Sequence, residues 1–391
     1  EYRDVRGGTV DSEIMFLGSS VGVLSAAREL TRLGVAVRGL IPSDSLGDGH
    51  FSEDMGGYIC DSRFTPVSVS RIQDVLPCAG LEFASLPEGV VASGAPGRPV
   101  VGGATEGNDV QIGTEFVDAF SEWSWPDEPW GVRTGSGGDV GDVAISAARA
   151  LYATLTWDTV GVASANSTNT MAHEILLEPA ILSKGVSALL DVLAKGLDFR
   201  TWVVSDDEML RFVRDAISHP RRTLIMSEGQ YARVFGPGET ARRSATSFWF
   251  TTNAMPTESK RIHLGWAEAG RVASSLVISN AAPSRSSGRG SLIEATVLTS
   301  NATDVDLAHV MADLESIYRT STSRWALIRS YFNSRNLPLP GQDDVLFDDV
   351  APGVHVLHES ADLAEAIRGG IILANRIRKE RRRSWRSWFS R

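Results

Sequence analysis

Cysteine is scarce in this chain: its 391 residues include two, Cys60 and Cys78. Two thiols build no disulfide framework, and their spacing is not that of a metal site. They read as buried thiols in a reducing compartment. Long apolar runs are also missing; none approaches the ~20 residues of a membrane span. There is no internal repeat and no low-complexity linker. Basic charge is in the minority, with 38 Lys and Arg against 48 Asp and Glu and a net charge of −10. A body of that sign is no general nucleic-acid binder. An initiator Met is absent too, because the sequence opens Glu1-Tyr2. That start admits a processed, organellar mature form or a trimmed piece, with any targeting segment out of view.

What is present is ordinary globular material, 42% apolar and 22% charged. It suffices for two domains or one large α/β unit. The basic charge that exists is concentrated: "RIRKERRRSWRSWFSR" at the end holds eight basic residues to one acidic. Trp385, Trp388 and Phe389 are interleaved with it. Basic residues mixed with aromatics suit an acidic protein partner, an anionic membrane surface or RNA, against the plainer reading of a frayed, solvated terminus. The aromatics favour docking, with a protein partner or anionic membrane surface expected at Arg378 to Arg391. The compartment is otherwise open: a reducing compartment or organelle interior, peripheral to a membrane if the tail binds lipid.

Glu13 to Leu17 reads as a short buried strand. Val23, Ala27, Leu30 and Leu33 then recur at helical spacing, and Gly34 is placed to end that helix. "VAVRGLI" reads as a second strand, so the chain opens with a β-turn-α-β unit and a parallel sheet. From Phe64 to Leu177 the pattern is harder to read. Two Gly-rich stretches and "SEWSWPDEPW" look like surface loops or a cap, with the Trp cluster packed under a loop. Ser183 to Leu197 reads as a helix, and "FRTWVVSDDEMLRFVRDA" as strand, turn and helix. Its acidic cluster suits a helix start rather than catalysis. "TSFWFTTNA", "SSLVISNAA" and "SLIEATVLTS" alternate like antiparallel strands. "DVDLAHVMADLESIYRTS" is a patterned helix. "GVHVLHES" is a strand before a final helix, for which Ser360 is the expected N-cap. Gly369 and Gly370 inside that helix cost roughly 1 kcal/mol each relative to Ala, which points to a close backbone approach.

The turn after the first strand carries the chemistry. Gly18-Ser19-Ser20-Val21-Gly22 fits G-x-S-x-G, which would make Ser20 a hydrolase nucleophile. It follows the first visible strand, however, and nothing selects His355, His358 or Asp362 as its partners. The same turn stands where a dinucleotide-binding loop would, with a strand before it and a helix and strand after. The glycines are poor for that task. Ser20 and Val23 stand at the second and third positions of G-x-G-x-x-G, and Ile41 stands where an acid would hold the ribose. A metal reading of His355, His358 and Glu359 is weak, because strand spacing puts the two histidines on opposite faces.

The order of segments resembles the FAD-dependent amine oxidase, phytoene desaturase and carotenoid isomerase group. Residues 13–62 resemble its opening unit: "SDSLGDG" matches the Leu-Gly-Gly loop and "EDMGGYICDS" an Asp-x-Gly-Gly-type strand. Pro352 to Ile377 resembles its closing strand, Gly-Asp turn and flavin-contacting helix. The resemblance implies an α/β fold: a discontinuous Rossmann-like domain, of the FAD/NAD(P)-binding type, with an inserted α+β substrate domain. The expected division is 11–66, 180–220 and 345–378 for the first, 67–179 and 221–344 for the second, and 379–391 as a tail.

The resemblance also implies where FAD would sit: Gly18, Ser19, Ser20, Gly22, Gly47 and Glu359. The departures converge on that ligand. Asp48 and Gly49 stand where the group has Gly and Arg, His358 replaces a Gly, and Glu359 replaces the Asp facing the ribityl-phosphate chain. The segment between Leu197 and Val203 is short for the strand pair that seats the adenine side. FAD is therefore disfavoured, and no metal is expected. In that group the redox chemistry belongs to the flavin, and no protein-borne catalytic set emerges. Two functions remain: a non-catalytic structural or binding subunit of a larger assembly, or an active FAD-dependent oxidoreductase on an apolar or amine substrate.

Overall fold

The computed structural model describes residues 14–93, 109–112 and 178–389, apart from 43–45, 78–79, 203–204, 220–221, 237–241, 266–269, 289, 300–304, 339–345, 359 and 361. Cys78, the Trp cluster and both Gly-rich stretches of the middle region lie outside the described residues.

The main sheet has six strands in the order β10 (Phe199–Trp202), β2 (Val37–Pro42), β1 (Ile14–Leu17), β11 (Thr223–Ser227), β18 (Val354–Leu357) and β17 (Phe347–Ala351). The first five pair in parallel, and β17 returns antiparallel to β18. β1 is buried on both faces, as expected of a central parallel strand. Ile14 and Phe16 pack into a core shared with α1 (Val21–Arg32) and with α8 (Leu363–Phe389), the last helix. Met15 and Leu17 face the other way, into a core with Met209, Val213 and Ala216 of α4 (Asp206–Ser218). This sheet with helices on both faces is the Rossmann-like unit.

The second sheet has seven strands: β16 (Ala326–Pro338), β12 (Arg242–Thr252), β15 (Ser291–Leu298), β14 (Val272–Val277), β13 (His263–Leu264), β7 (Val90–Ser93) and β8 (Asp109–Ile112). Its long strands pair antiparallel, as their alternation predicts. Trp249, Leu276 and Leu292 line one face; Phe248, Phe250, Ile293 and Val297 line the other, against α7 (Leu307–Tyr318). Two small sheets join the units: β3 (Ser52–Asp54) with β4 (Ile59–Asp61), and β5 (Val67–Ser68), β9 (Pro179–Leu182) and β6 (Phe83–Ser85). Short helices complete the described chain: α2 (Val69–Val75), α3 (Ser187–Ala194), α5 (Glu228–Phe235) and α6 (Ile278–Ala281).

Four boundaries differ from those read in the sequence. β11 lies in the middle of the main sheet, beyond the expected bound at 220, and β9 pairs with β5 and β6 instead of joining that sheet. The helix expected over Ser183 to Leu197 shortens to α3, because Gly185 and Gly196 both take positive φ, 78° and 81°. Residues 379–389 are no separate tail: α8 runs unbroken through them. The cap of α8 also moves. Asp362 Oδ1 accepts the Ala364 N–H at 2.8 Å, while Ser360 Oγ accepts the Asp362 N–H at 3.1 Å. Ser360 therefore braces the cap and Asp362 supplies it.

Of the two glycines inside α8, Gly370 has the expected cause, while the Cβ position of Gly369 meets only the Leu346 side chain, at 3.1 Å. A Cβ on Gly370 would stand 2.3 Å from Gly22 O and 2.8 Å from Ala26 N. α1 and α8 cross with their backbones in contact, and only glycine allows it.

Candidate functional site

β1 ends at Leu17, and Gly18 turns the chain with φ 103°, a conformation that other residues adopt only under strain. The Gly18 N–H donates to Leu40 O at 3.0 Å, tying the turn to β2. Ser20 is the N-cap of α1, and its Oγ accepts the Val23 N–H at 3.3 Å. The hydroxyl is thus folded back onto its own helix. A helix N-terminus carries unpaired N–H groups and the positive end of the helix dipole, so it draws anions.

The anion found there belongs to the chain itself. Asp48 Oδ2 accepts the Ser19 N–H at 2.6 Å and the Ser20 N–H at 2.9 Å. Asp48 Oδ1 accepts from Gln230 Nε2 at 2.6 Å, and the Ser227 hydroxyl also bonds the carboxyl. Ser227 in turn caps α5, accepting the Gln230 N–H at 3.3 Å. The carboxyl therefore bridges the first turns of two helices. Burial pushes its pKa up, and these four donors work against that rise. Asp48 sits in the one-turn 3-10 helix Leu46–Gly49 at φ 46°, a left-handed conformation that favours glycine. A Cβ on Gly18 would stand 2.5 Å from Asp48 Oδ2 and 2.6 Å from Ser227 Oγ.

Two further ends of the same region are closed. His358 Nδ1 lies 3.2 Å from Glu228 Oε2, and its Nε2 lies 3.0 Å from Asp348 Oδ2. The start of α8 is clamped by arginines: Arg63 Nη2 donates to Ser360 O at 3.0 Å, and Arg71 pairs with Asp362 and Glu365, each at 2.6 Å. Arg63 also reaches His50 Nδ1 at 3.3 Å. His50 is held well below the usual histidine pKa by burial, then by the Arg63 charge, and is neutral. Ile41, at the ribose position, is buried in the core.

Of the expected site residues, Gly18, Ser19 and Ser20 meet at the α1 end. Gly47 lies in the 3-10 turn that carries Asp48. Gly22 faces elsewhere: its Cβ position is 3.4 Å from Ala366 O, so it serves the α1–α8 crossing. Glu359 lies outside the described residues. Ser20 as a nucleophile finds no support, because its hydroxyl is spent on capping; His355 pairs with Asp349 at 2.7 Å. No group of three or more His, Cys, Asp or Glu side chains that could hold a metal occurs among the described residues. Sequence reasoning missed Gln230 and Ser227, although Ser227-Glu-Gly-Gln230 has the S-x-x-Q form of a capping box.

No protein-family model matches the chain, and no curated protein matches it. Solved structures do. An oxidoreductase from Methanosarcina mazei superposes with a TM-score of 0.67 at 12% identity, over 93% of this chain and 100% of its own. Putrescine oxidase, wild type bound to putrescine, gives 0.58 at 14% identity, over 94% and 98%. Reduced UDP-galactopyranose mutase gives 0.61 at 11% identity, over 94% of each. The fold is that of the FAD-dependent amine oxidase group. Within this amine oxidase-type fold, the residues at the α1 end do not fit a dinucleotide phosphate as they stand: the N–H groups of Ser19 and Ser20 are spent on Asp48.

Proposed function

We propose that this chain is a non-catalytic protein that keeps the amine oxidase-type fold as a scaffold, serving as a structural or binding subunit of a larger assembly. One observation carries the reading. The polar ends around the expected flavin region are closed by the chain's own side chains: Asp48 at α1, Glu228 and Asp348 at His358, and Asp362 at α8. A fold does not fix an activity, and activity resides in its site. The docking element is the basic end of α8, from Arg378, and its partner is a protein with an acidic surface.

Two measurements test the reading. The first is the visible spectrum of gently purified protein, followed by denaturation and assay of what is released. The expected result is no flavin. Stoichiometric FAD would replace this reading with that of an active oxidoreductase on an apolar or amine substrate. The second is removal of residues 378–391, which is expected to abolish co-purification with a partner while leaving the melting temperature of the body unchanged. Normal assembly of the truncated chain would sink the docking role. Binding of the intact chain to anionic vesicles, with no protein partner recovered, would move the docking surface to a membrane.

A further inference from the structure

The α1 N-terminus is an anion seat, and a carboxylate of the chain itself sits in it. Two consecutive backbone N–H groups converge on one oxygen, Asp48 Oδ2, at 2.6 and 2.9 Å. The second oxygen is held by the Gln230 amide, 182 residues further along the chain, at 2.6 Å. Gly18 leaves no room beside it, since a Cβ there would meet Asp48 and Ser227 within 2.6 Å. A carboxylate held by several N–H and O–H donors has the hydrogen-bonding pattern of a bound phosphate, in which oxygens accept from a helix N-terminus. Asp48 adopts φ 46° to reach it, a conformation in which Asp and Asn are the most tolerated residues after glycine.

We infer that Asp48 is a built-in phosphate surrogate: its carboxylate takes the seat that a phosphate-bearing ligand would otherwise occupy at the α1 N-terminus. The inference deepens the non-catalytic reading and rests on it. It adds a mechanism. The chain satisfies its loop from within, and so folds with the loop ordered when no nucleotide is bound. It also names the ligand class excluded, phosphate esters and anhydrides of the ADP type. Exclusion has two parts, because an entering phosphate must displace the carboxylate and also meets its negative charge.

The test uses the full chain as wild type, Asp48→Gly and Asp48→Asn. Glycine removes the surrogate and restores an unstrained left-handed residue. Asparagine keeps the shape and the left-handed conformation but removes the charge, so it serves if the glycine variant does not fold. Each protein is titrated calorimetrically with ADP, FAD and adenosine. The expected result is a gain of at least about tenfold in ADP and FAD affinity for Asp48→Gly, a smaller gain for Asp48→Asn, and none for adenosine. Equal ADP affinity in wild type and both variants would overturn the inference. So would a gain that adenosine shares, since that reports an opened cavity and not a freed seat.

Hydrogen exchange supplies a readout that needs no ligand. The Ser19 and Ser20 amides are expected to be protected in the unliganded wild type and to exchange at least about tenfold faster in Asp48→Gly. Fast exchange in the wild type would overturn the surrogate directly. The outcomes separate the two readings. A wild type purified with stoichiometric flavin sinks both, since FAD carries the excluded diphosphate. A flavin-free wild type with no gain in either variant sinks the surrogate alone.

Discussion

The end of the main sheet and the body of the second sheet treat their polar groups in opposite ways. At the α1 end, N–H groups, hydroxyls and carboxylates are matched within the chain, from Ser19, Ser20 and Asp48 through Gln230 to the Arg71–Asp362 pair. In the second sheet, Thr246 Oγ1, Ser274 Oγ and both ring nitrogens of His263 are buried without a hydrogen-bond partner among the described residues. Arg285 beside it is fully buried; Nη2 forms an ion pair with Asp61 Oδ2 at 2.5 Å, while Nε and Nη1 donate to no acceptor among the described residues. An unpaired buried polar atom costs about 1–3 kcal/mol. Both regions carry some of that cost, since Gln230 Oε1 at the α1 end is also buried without a hydrogen-bond partner among the described residues, but the second sheet carries more of it. The lesson is that the α1 end pairs most of its polar groups within the chain, while the second sheet retains polar groups that its own packing does not use.

The largest expected effect tests the costly side. Arg285→Ala leaves the Asp61 carboxylate buried beside Ser52 and the Val186 N–H, which bond it at 2.6 and 3.1 Å. A loss of about 3–5 kcal/mol is expected in urea unfolding. Arg285→Met with Asp61→Asn should recover most of it; no recovery would mean that the pair does more than neutralise itself. On the settled side, Gly370→Ala drives a methyl into Gly22 O and should cost about 3 kcal/mol, the upper end for overpacking. A loss below 1 kcal/mol would show that the α1–α8 crossing relaxes easily.

The third effect is read against pH. Burial pushes the Glu294 carboxyl up to about 8, with Asp61 adding to the rise. Between its ordinary value and 8 the unfolded chain has released this proton and the folded chain still holds it, so stability falls as pH rises. His263, held down to about 4 by burial, loses stability in the opposite direction, as pH falls from 6.5. Above pH 6.5 the loss is therefore Glu294's, about 2 kcal/mol by pH 8. Glu294→Gln should flatten that slope, and an unchanged slope would assign it to other groups. The smallest effect tests the settled end again. Ser227→Ala removes the α5 cap and one donor to Asp48, for about 1 kcal/mol in thermal unfolding. A neutral result would mean that Gln230 and the α1 amides suffice.

Local pattern made part of this legible. The opening strand, turn and helix, the end of α1 before Gly34, the antiparallel strands and the close approach at Gly370 are all short-range signals. β11 was harder. "TLIMS" is a short apolar run, and nothing in such a run says which sheet it joins; its neighbours β1 and β18 come from distant parts of the chain. Asp48 stood out in the sequence as a departure, a charged residue at a glycine position. Its partners did not, because the contacts join residues 28, 29 and 182 positions apart. Periodicity cannot see a bond of that separation.

The last helix has a mechanical consequence. Its 27 residues form a rod about 40 Å long. Near one end it is keyed into α1 through Gly370, and Ile377 is its last buried apolar residue among those described. The charged far end is therefore not a tether that swings freely but the arm of a lever. Turning that arm turns the α1 crossing with it, because the helix between them is unbroken.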